Sequence, residues 1–195
     1  MSRWRSIAED ERVRKRELFA WIQIGPRRVG ALELHEFEPS GCFDNADVFE
    51  VMDCEDAFES RLAEVLCSVF DDLCSEVAPY GSILDFRHAW IAPASAHQGL
   101  FAKAATTIVD AAFPDHTLLI MKAYPLEYEG KVLDGAPLEA GLTARQRAMA
   151  RHYGKILGVR PLPDPHGREG WLWRAHPQLE GLTVDTDEPE ASAFF

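Results

Sequence analysis

His97, Gln98, Gly99 and Leu100 stand between a hydrophobic stretch, Ile83 to Ile91, closed by Pro93, and the start of an alanine-rich helix. The first backbone N–H groups of a helix lack intrahelical partners and lie at the positive end of its dipole. The segment, with Phe101 after it, is therefore a candidate cradle for an anion. Backbone groups would do the holding, so loop shape counts for more than side-chain identity. Groups that could move a proton lie on the strands. Asp85 and His88 fall on Ile83 to Ile91, where strict alternation sends them to opposite faces. Glu33 and Glu36 are further carboxylates on a hairpin, and water is another option. Side chains of these kinds are more often solvent-facing or hydrogen-bonded structural groups than bases, so none is assigned as a base. The histidines show no H-E-x-x-H spacing, and Cys42, Cys54, Cys67 and Cys74 contain no C-x-x-C pair. That pattern argues against a metal centre and a secreted disulfide scaffold, and for reduced, partly buried thiols.

These residues need a scaffold, and the periodicities describe one. Ser6 and Glu9 can form a capping box, which predicts a short polar helix over Ile7 to Arg16. Leu18 to Ile24 and Ala31 to Phe37 read as two strands of a hairpin with a loop longer than two residues. Val48 to Met52 reads as a further short strand. Asp56 and Glu59 open a helix whose apolar residues, from Phe58 to Val77, recur at three- and four-residue steps. The nearly continuous apolar strand Ile83 to Ile91 follows, then the helix Gly99 to Phe113, stopped by Pro114. Thr117 to Tyr124 is a buried strand broken by Pro125, and Glu127 to Leu142 is loop. Thr143 caps a helix over Ala144 to Leu157, with Gly158 as its left-handed C-terminal residue. Tyr153 lies on its apolar face, where its ring could simply pack. Val159 to Leu162 and Trp171 to Arg174 are the last strands. The order predicts an α/β fold, a mixed central sheet with helices on both faces.

With 195 residues the chain suits one domain. Three parts are expected: a polar N-terminal segment (1–17), a single domain (18–177) and an acidic, loose tail (178–195). A net charge of −12 repels a phosphate backbone and disfavours nucleic acid as a partner. No apolar run approaches the roughly 20 residues of a membrane span, and the charged N-terminus lacks the apolar core of a secretory signal, so a cytoplasmic location is expected. From Ala31 to Tyr80 only Arg61 is basic. Such an acidic lobe suits a cationic substrate or a basic partner protein, and equally a solvated surface.

Two segments also resemble a known family. Ala89-Trp90-Ile91-Ala92-Pro93 followed by His97-Gln98-Gly99-Leu100 resembles motif A of the GCN5-related N-acetyltransferases (GNAT), in which a strand ending in V-x-P runs into an R-x-x-G-x-G/A loop. Arg151-His152-Tyr153-Gly154-Lys155-Ile156-Leu157-Gly158 is similar to motif B, a helix carrying a tyrosine that leaves through leucine and glycine. The resemblance spans about Ile83 to Leu162 and implies the acyl-CoA N-acyltransferase fold, with a wedge between two central parallel strands. It implies acetyl-CoA as cofactor, its pyrophosphate on His97, Gln98, Gly99, Leu100 and Phe101 and its pantetheine along the backbone of Ile91. It implies Tyr153 as the acid that protonates the departing thiolate. The implied activity is acetyl transfer to a primary amine of a small molecule or protein, with homodimerisation left open. Ala96 replaces the first motif residue, usually Arg or Gln, and Phe101 the last, usually Gly or Ala. These departures suit the alternative of a catalytically degenerate member kept as a binding or interaction module. A toxin-like member acting on charged tRNA is disfavoured by the acidic balance. The family usually places its first helices before the hairpin, whereas here the strong helix comes after it.

Overall fold

Alternation governs the first third of the chain. In the computed structural model, which describes residues 4–7, 10–96, 98–125 and 140–176, Arg5–Ile7 (β1), Asp10–Ile24 (β2) and Arg27–Glu38 (β3) form an antiparallel meander. The polar helix expected over Ile7 to Arg16 is thus strand. Val13 and Lys15 turn inward while Arg14 faces solvent, a period of two that pairing with β3 rewards and a helix could not. The hairpin closes through Gly25 and Pro26 alone, shorter than expected, and the positive φ of +56° at Gly25 makes the tight turn possible.

Asn45–Asp53 (α1) replaces the strand expected at Val48 to Met52. Val48, Val51 and Met52 are buried at helical spacing, and the Asp44 carboxylate accepts from the Asp47 N–H. Ala57–Val69 (α2) starts at Asp56, whose carboxylate accepts from Phe58 and Glu59 N–H groups. It is shorter than the expected helix: Phe70 turns extended and Asp72 caps a separate turn, Leu73–Glu76 (α3). Each such cap stabilises by about 1 kcal/mol.

Ser82–Ile91 (β4), Leu100–Ala112 (α4) and His116–Lys122 (β5) then form a parallel β-α-β crossover. Ala140–Leu157 (α5) begins earlier than expected, so Thr143 lies inside the helix rather than at its cap, while Gly158 takes the expected left-handed φ of +71°. Arg160–Pro161 (β6) and Trp171–Ala175 (β7) complete the sheet. His97, the remainder of the expected loop (127–139) and the tail (178–195) lie outside the described residues.

The seven strands run in the order β1-β2-β3-β4-β5-β7-β6, parallel only between β4 and β5. The core is split by the sheet. One half gathers Val48, Met52, Leu62, Leu66 and Leu73 from α1 to α3 against Ile83, Ile120, Trp171 and Trp173. The other gathers Ala105 and Val109 of α4 and Leu157 of α5 against Leu34, Leu84, Phe86, Leu119 and Leu172. Neighbouring strand residues alternate between the halves, so the fold is an α/β mixed sheet with a helical layer on each face. This is the arrangement the family resemblance implies, with α1 and α2 displaced to follow the hairpin. Among the described residues no helix is long and apolar enough to cross a membrane.

Candidate active site

The sheet opens at its centre. β4 pairs with β5 only from Ser82 to Asp85, after which β4 follows β3 as far as Ile91 and β5 follows β7 as far as Lys122. A bulge gives the physical cause. Leu34 lies opposite Phe86 and Glu33 opposite His88, so Arg87 is an extra residue on β4, and a bulge bends and twists the strand that carries it. The bulge lies two residues beyond the last parallel pair, Asp85 with Ile120.

The bulge also resets the side-chain alternation. Asp85 lies opposite His35 and His88 opposite Glu33, two positions apart on β3, so Asp85 and His88 share the α2 face. The expectation that they face opposite ways fails because one inserted residue reverses the parity of everything beyond it.

Two adjoining cavities fill the opening. One, of about 670 Å³, lies under the start of α4 and is lined by Ser95, Ala96, Gly99, Leu100, Phe101 and Ala102 with His152 of α5. The other, of about 530 Å³, lies towards α2 and is lined by Phe58, Arg61, Arg87, His88, Lys122 and Trp171. Ala89, Ile91, Arg145, Met149 and Tyr153 border both, which makes the gap between β4 and β5 their common wall.

At the α4 end, Gly99 occupies the N-cap with φ +70° and no side chain caps the helix. The Lys103 N–H donates to the Gly99 carbonyl, which leaves the N–H groups of Leu100, Phe101 and Ala102 without intrahelical acceptors. A Cβ on Gly99 would meet nothing within 4 Å, and Gly99, Leu100, Phe101 and Ala102 all line the cavity. Phe101 does not stand across that opening. Its ring packs 5.9 Å from Phe86, 5.7 Å from His152 and 5.4 Å from Tyr153, measured between centroids, and forms the inner wall. Gln98 is exposed and borders neither cavity.

Ile91 borders both cavities from the end of β4. The Ala92 N–H donates to the Val29 carbonyl at 2.8 Å, and consecutive residues of a strand direct their backbone groups to opposite sides. The N–H and C=O of Ile91 therefore face the gap, where no strand of the described residues meets them. Tyr153 stands across the gap on α5, and its hydroxyl has no hydrogen-bond partner among the described residues. Burial pushes its phenol up to about 12, so it stays protonated at neutral pH.

On the α2 side a chain of polar groups runs inward from the cavity. His88 Nδ1 is 3.1 Å from Glu33 Oε2, and Glu33 Oε1 is 3.0 Å from His35 Nε2. His35 lies 3.3 Å from Glu59, which is also bound by Arg87 at 3.2 Å and by the buried Lys15. Burial alone would raise the Glu33 carboxyl, but hydrogen bonds to His88 and His35 outweigh it and hold it below the usual carboxylate range. Asp85 sits deepest, fully buried, with neither oxygen hydrogen-bonded. Burial pushes its carboxyl up to about 7, against the pull of His35 and Arg87. The Glu33–His88 pair was not separable from other carboxylates and histidines in sequence, because only the β3–β4 register joins residues so far apart. The thiols take no part: burial pushes Cys42 up to about 12 and Cys67 up to about 11, which keeps both protonated.

Among known proteins, no family model and no curated protein matches the sequence. Among solved structures, a KacTA–DNA complex contains a chain that aligns over 88% of this one and 73% of its own length, at 13% identity and a TM-score of 0.33.

Proposed function

We propose that the protein is an acetyl-CoA-dependent N-acetyltransferase acting on a primary amine. The observation that carries this reading is the parting of β4 from β5 at Asp85, which leaves the Ile91 backbone unpaired beside an uncapped helix N-terminus. Acetyl-CoA, when bound, supplies the acyl group as a thioester. The N–H groups of Leu100, Phe101 and Ala102, with Gly99, would hold its pyrophosphate. Ile91 would hydrogen-bond the pantetheine amides as an added strand would.

In transfer, the amine nitrogen bonds to the acyl carbon and the carbon–sulfur bond breaks. His88, oriented by Glu33, would take the first proton from the incoming ammonium; after attack the nitrogen would lose its second proton to solvent, and Tyr153 would give its proton to the departing sulfur and regain one from solvent. The phenol suits the second step because its environment keeps it protonated and leaves its O–H without a competing acceptor.

Phe101 favours the second reading, a degenerate member serving as a binding or interaction module, since its ring occupies space beside Tyr153 that the motif usually leaves to a small residue. Turnover separates the two. With thiol release followed over a panel of amines, Tyr153→Phe should lower kcat on the order of 100-fold and leave the KM for acetyl-CoA within a few-fold. An unchanged kcat clears Tyr153 of the role, and no thiol release with any amine favours the binding module.

A further inference from the structure

The α2-side cavity has a charge unlike that of the molecule around it. The chain carries 32 acidic residues against 20 Lys and Arg, yet the described residues lining this cavity include Arg61, Arg87, Lys122 and Arg145 and no Asp or Glu. Arg145 has interactions of its own, and two more of the cations are paired with carboxylates. Arg87 binds Asp56 at 3.0 Å and lies 4.4 Å over the Phe58 ring, and Arg61 binds Glu169 at 2.7 Å and Glu64 at 2.6 Å.

Lys122 differs from both. No carboxylate of the described residues lies within ion-pair distance of it, and its ammonium stands 5.3 Å from the centroid of Trp171, its direct cross-strand partner. Trp171 packs in turn on Phe58, at 5.9 Å. Burial disfavours the Lys122 charge and Arg61 adds to that, with Glu169 acting the other way. A half-buried cation on a concave, low-dielectric wall, beside a second cation and out of ion-pair contact with every carboxylate of the described residues, attracts a small anion. The acidic lobe noted in the sequence is largely paired: Asp47, Glu50 and Glu55 bind Arg12 and Arg5 across α1 and the first strands, and Asp56 and Glu64 bind Arg87 and Arg61 beside the cavity.

Resting on the N-acetyltransferase reading, we propose that the acceptor is a small amine that also carries a carboxylate or a phosphate, with Lys122 holding the anion and Phe58 flanking its carbon body. His88, on the same cavity wall, is then left to the amine end.

Ligand-observed NMR titrations of the full chain without coenzyme test this with two matched pairs, phenylalanine against phenethylamine and phosphoethanolamine against ethanolamine. The anionic member of at least one pair should bind ten-fold or more tightly than its partner, and the pair that shows it tells carboxylate from phosphate. Lys122→Gln should reduce that advantage to two-fold or less, and Lys122→Arg should restore it, with an unchanged far-ultraviolet circular dichroism spectrum in both variants. Equal or undetectable binding within both pairs, or an advantage that survives Lys122→Gln, overturns the proposal. Acetyl-CoA binding is measured separately, so loss of the anion preference and failure of the acetyltransferase reading produce different results.

Discussion

Asp85→Asn should make the protein more stable at alkaline pH than the native chain, by an amount that the burial of Asp85 sets. Asp85 is completely buried at the point where β4 and β5 part, and neither carboxylate oxygen is hydrogen-bonded. Its carboxyl is pushed to about 7, whereas an Asp in an unfolded chain titrates near 3.9. Below about pH 4 the group is neutral in both states and carries no penalty. As the pH rises, the unfolded chain ionises while the native one stays protonated. Stability then falls by about 1.4 kcal/mol per pH unit until the native carboxyl ionises near 7. The full loss is roughly 4 kcal/mol, of which about 3 kcal/mol falls between pH 4.5 and pH 8. Asn is neutral throughout and of nearly the same shape, and every other titration is common to both proteins. Urea unfolding followed by tryptophan fluorescence at the two pH values should therefore show the variant gaining on the native chain by roughly 1–3 M in midpoint. A stability difference between the two proteins that does not change with pH would refute the assignment of Asp85 as a buried, protonated acid.

Gly99→Ala should weaken acetyl-CoA binding about ten-fold in a calorimetric titration, because Ala at φ +70° costs about 1 kcal/mol and its methyl enters the space before the α4 donors. His88→Gln should lower kcat on the order of 100-fold at neutral pH in the thiol-release assay, with Glu33→Gln giving a smaller loss, since Glu33 acts by orienting His88. Lys15→Met should destabilise the fold by about 3–5 kcal/mol in urea unfolding, because it removes a cation from the fully buried Glu59 and leaves Arg87 and His35 as its remaining partners.

The elements that hold the site were legible where local pattern and local energetics agree. The apolar run of β4, Pro93, Gly99 and the alanines of α4 announce a strand, a turn and a helix mouth through short-range constraints alone, and Gly158 marks the end of α5 in the same way. Long-range terms decided the remainder. Ser6 and Glu9 carry a helix-capping signature ahead of the polar run to Arg16, yet Lys15 finds Glu59 on α2 and the chain pairs with β3, contacts that no local window contains. The strand read at Val48 to Met52 was an ambiguity of period: five apolar-rich residues fit either element, and Asp44 as a cap tips the balance. The Arg87 bulge left no mark in the sequence, because β4 without it would show the same residue types. With the bulge hidden, the shared face of Asp85 and His88, the Glu33–His88 pair and the cations around Lys122 stayed hidden as well. Tyr153 was found through its motif, and its exact relation to Phe101 only through packing between α4 and α5.

The central claim is that the gap between β4 and β5 holds acetyl-CoA, and calorimetric titration of acetyl-CoA into the full chain tests it most directly. Saturable one-to-one binding is expected, with a dissociation constant on the order of micromolar and a marked loss in Gly99→Ala. No binding at roughly millimolar ligand, about −4 kcal/mol or weaker, would contradict it.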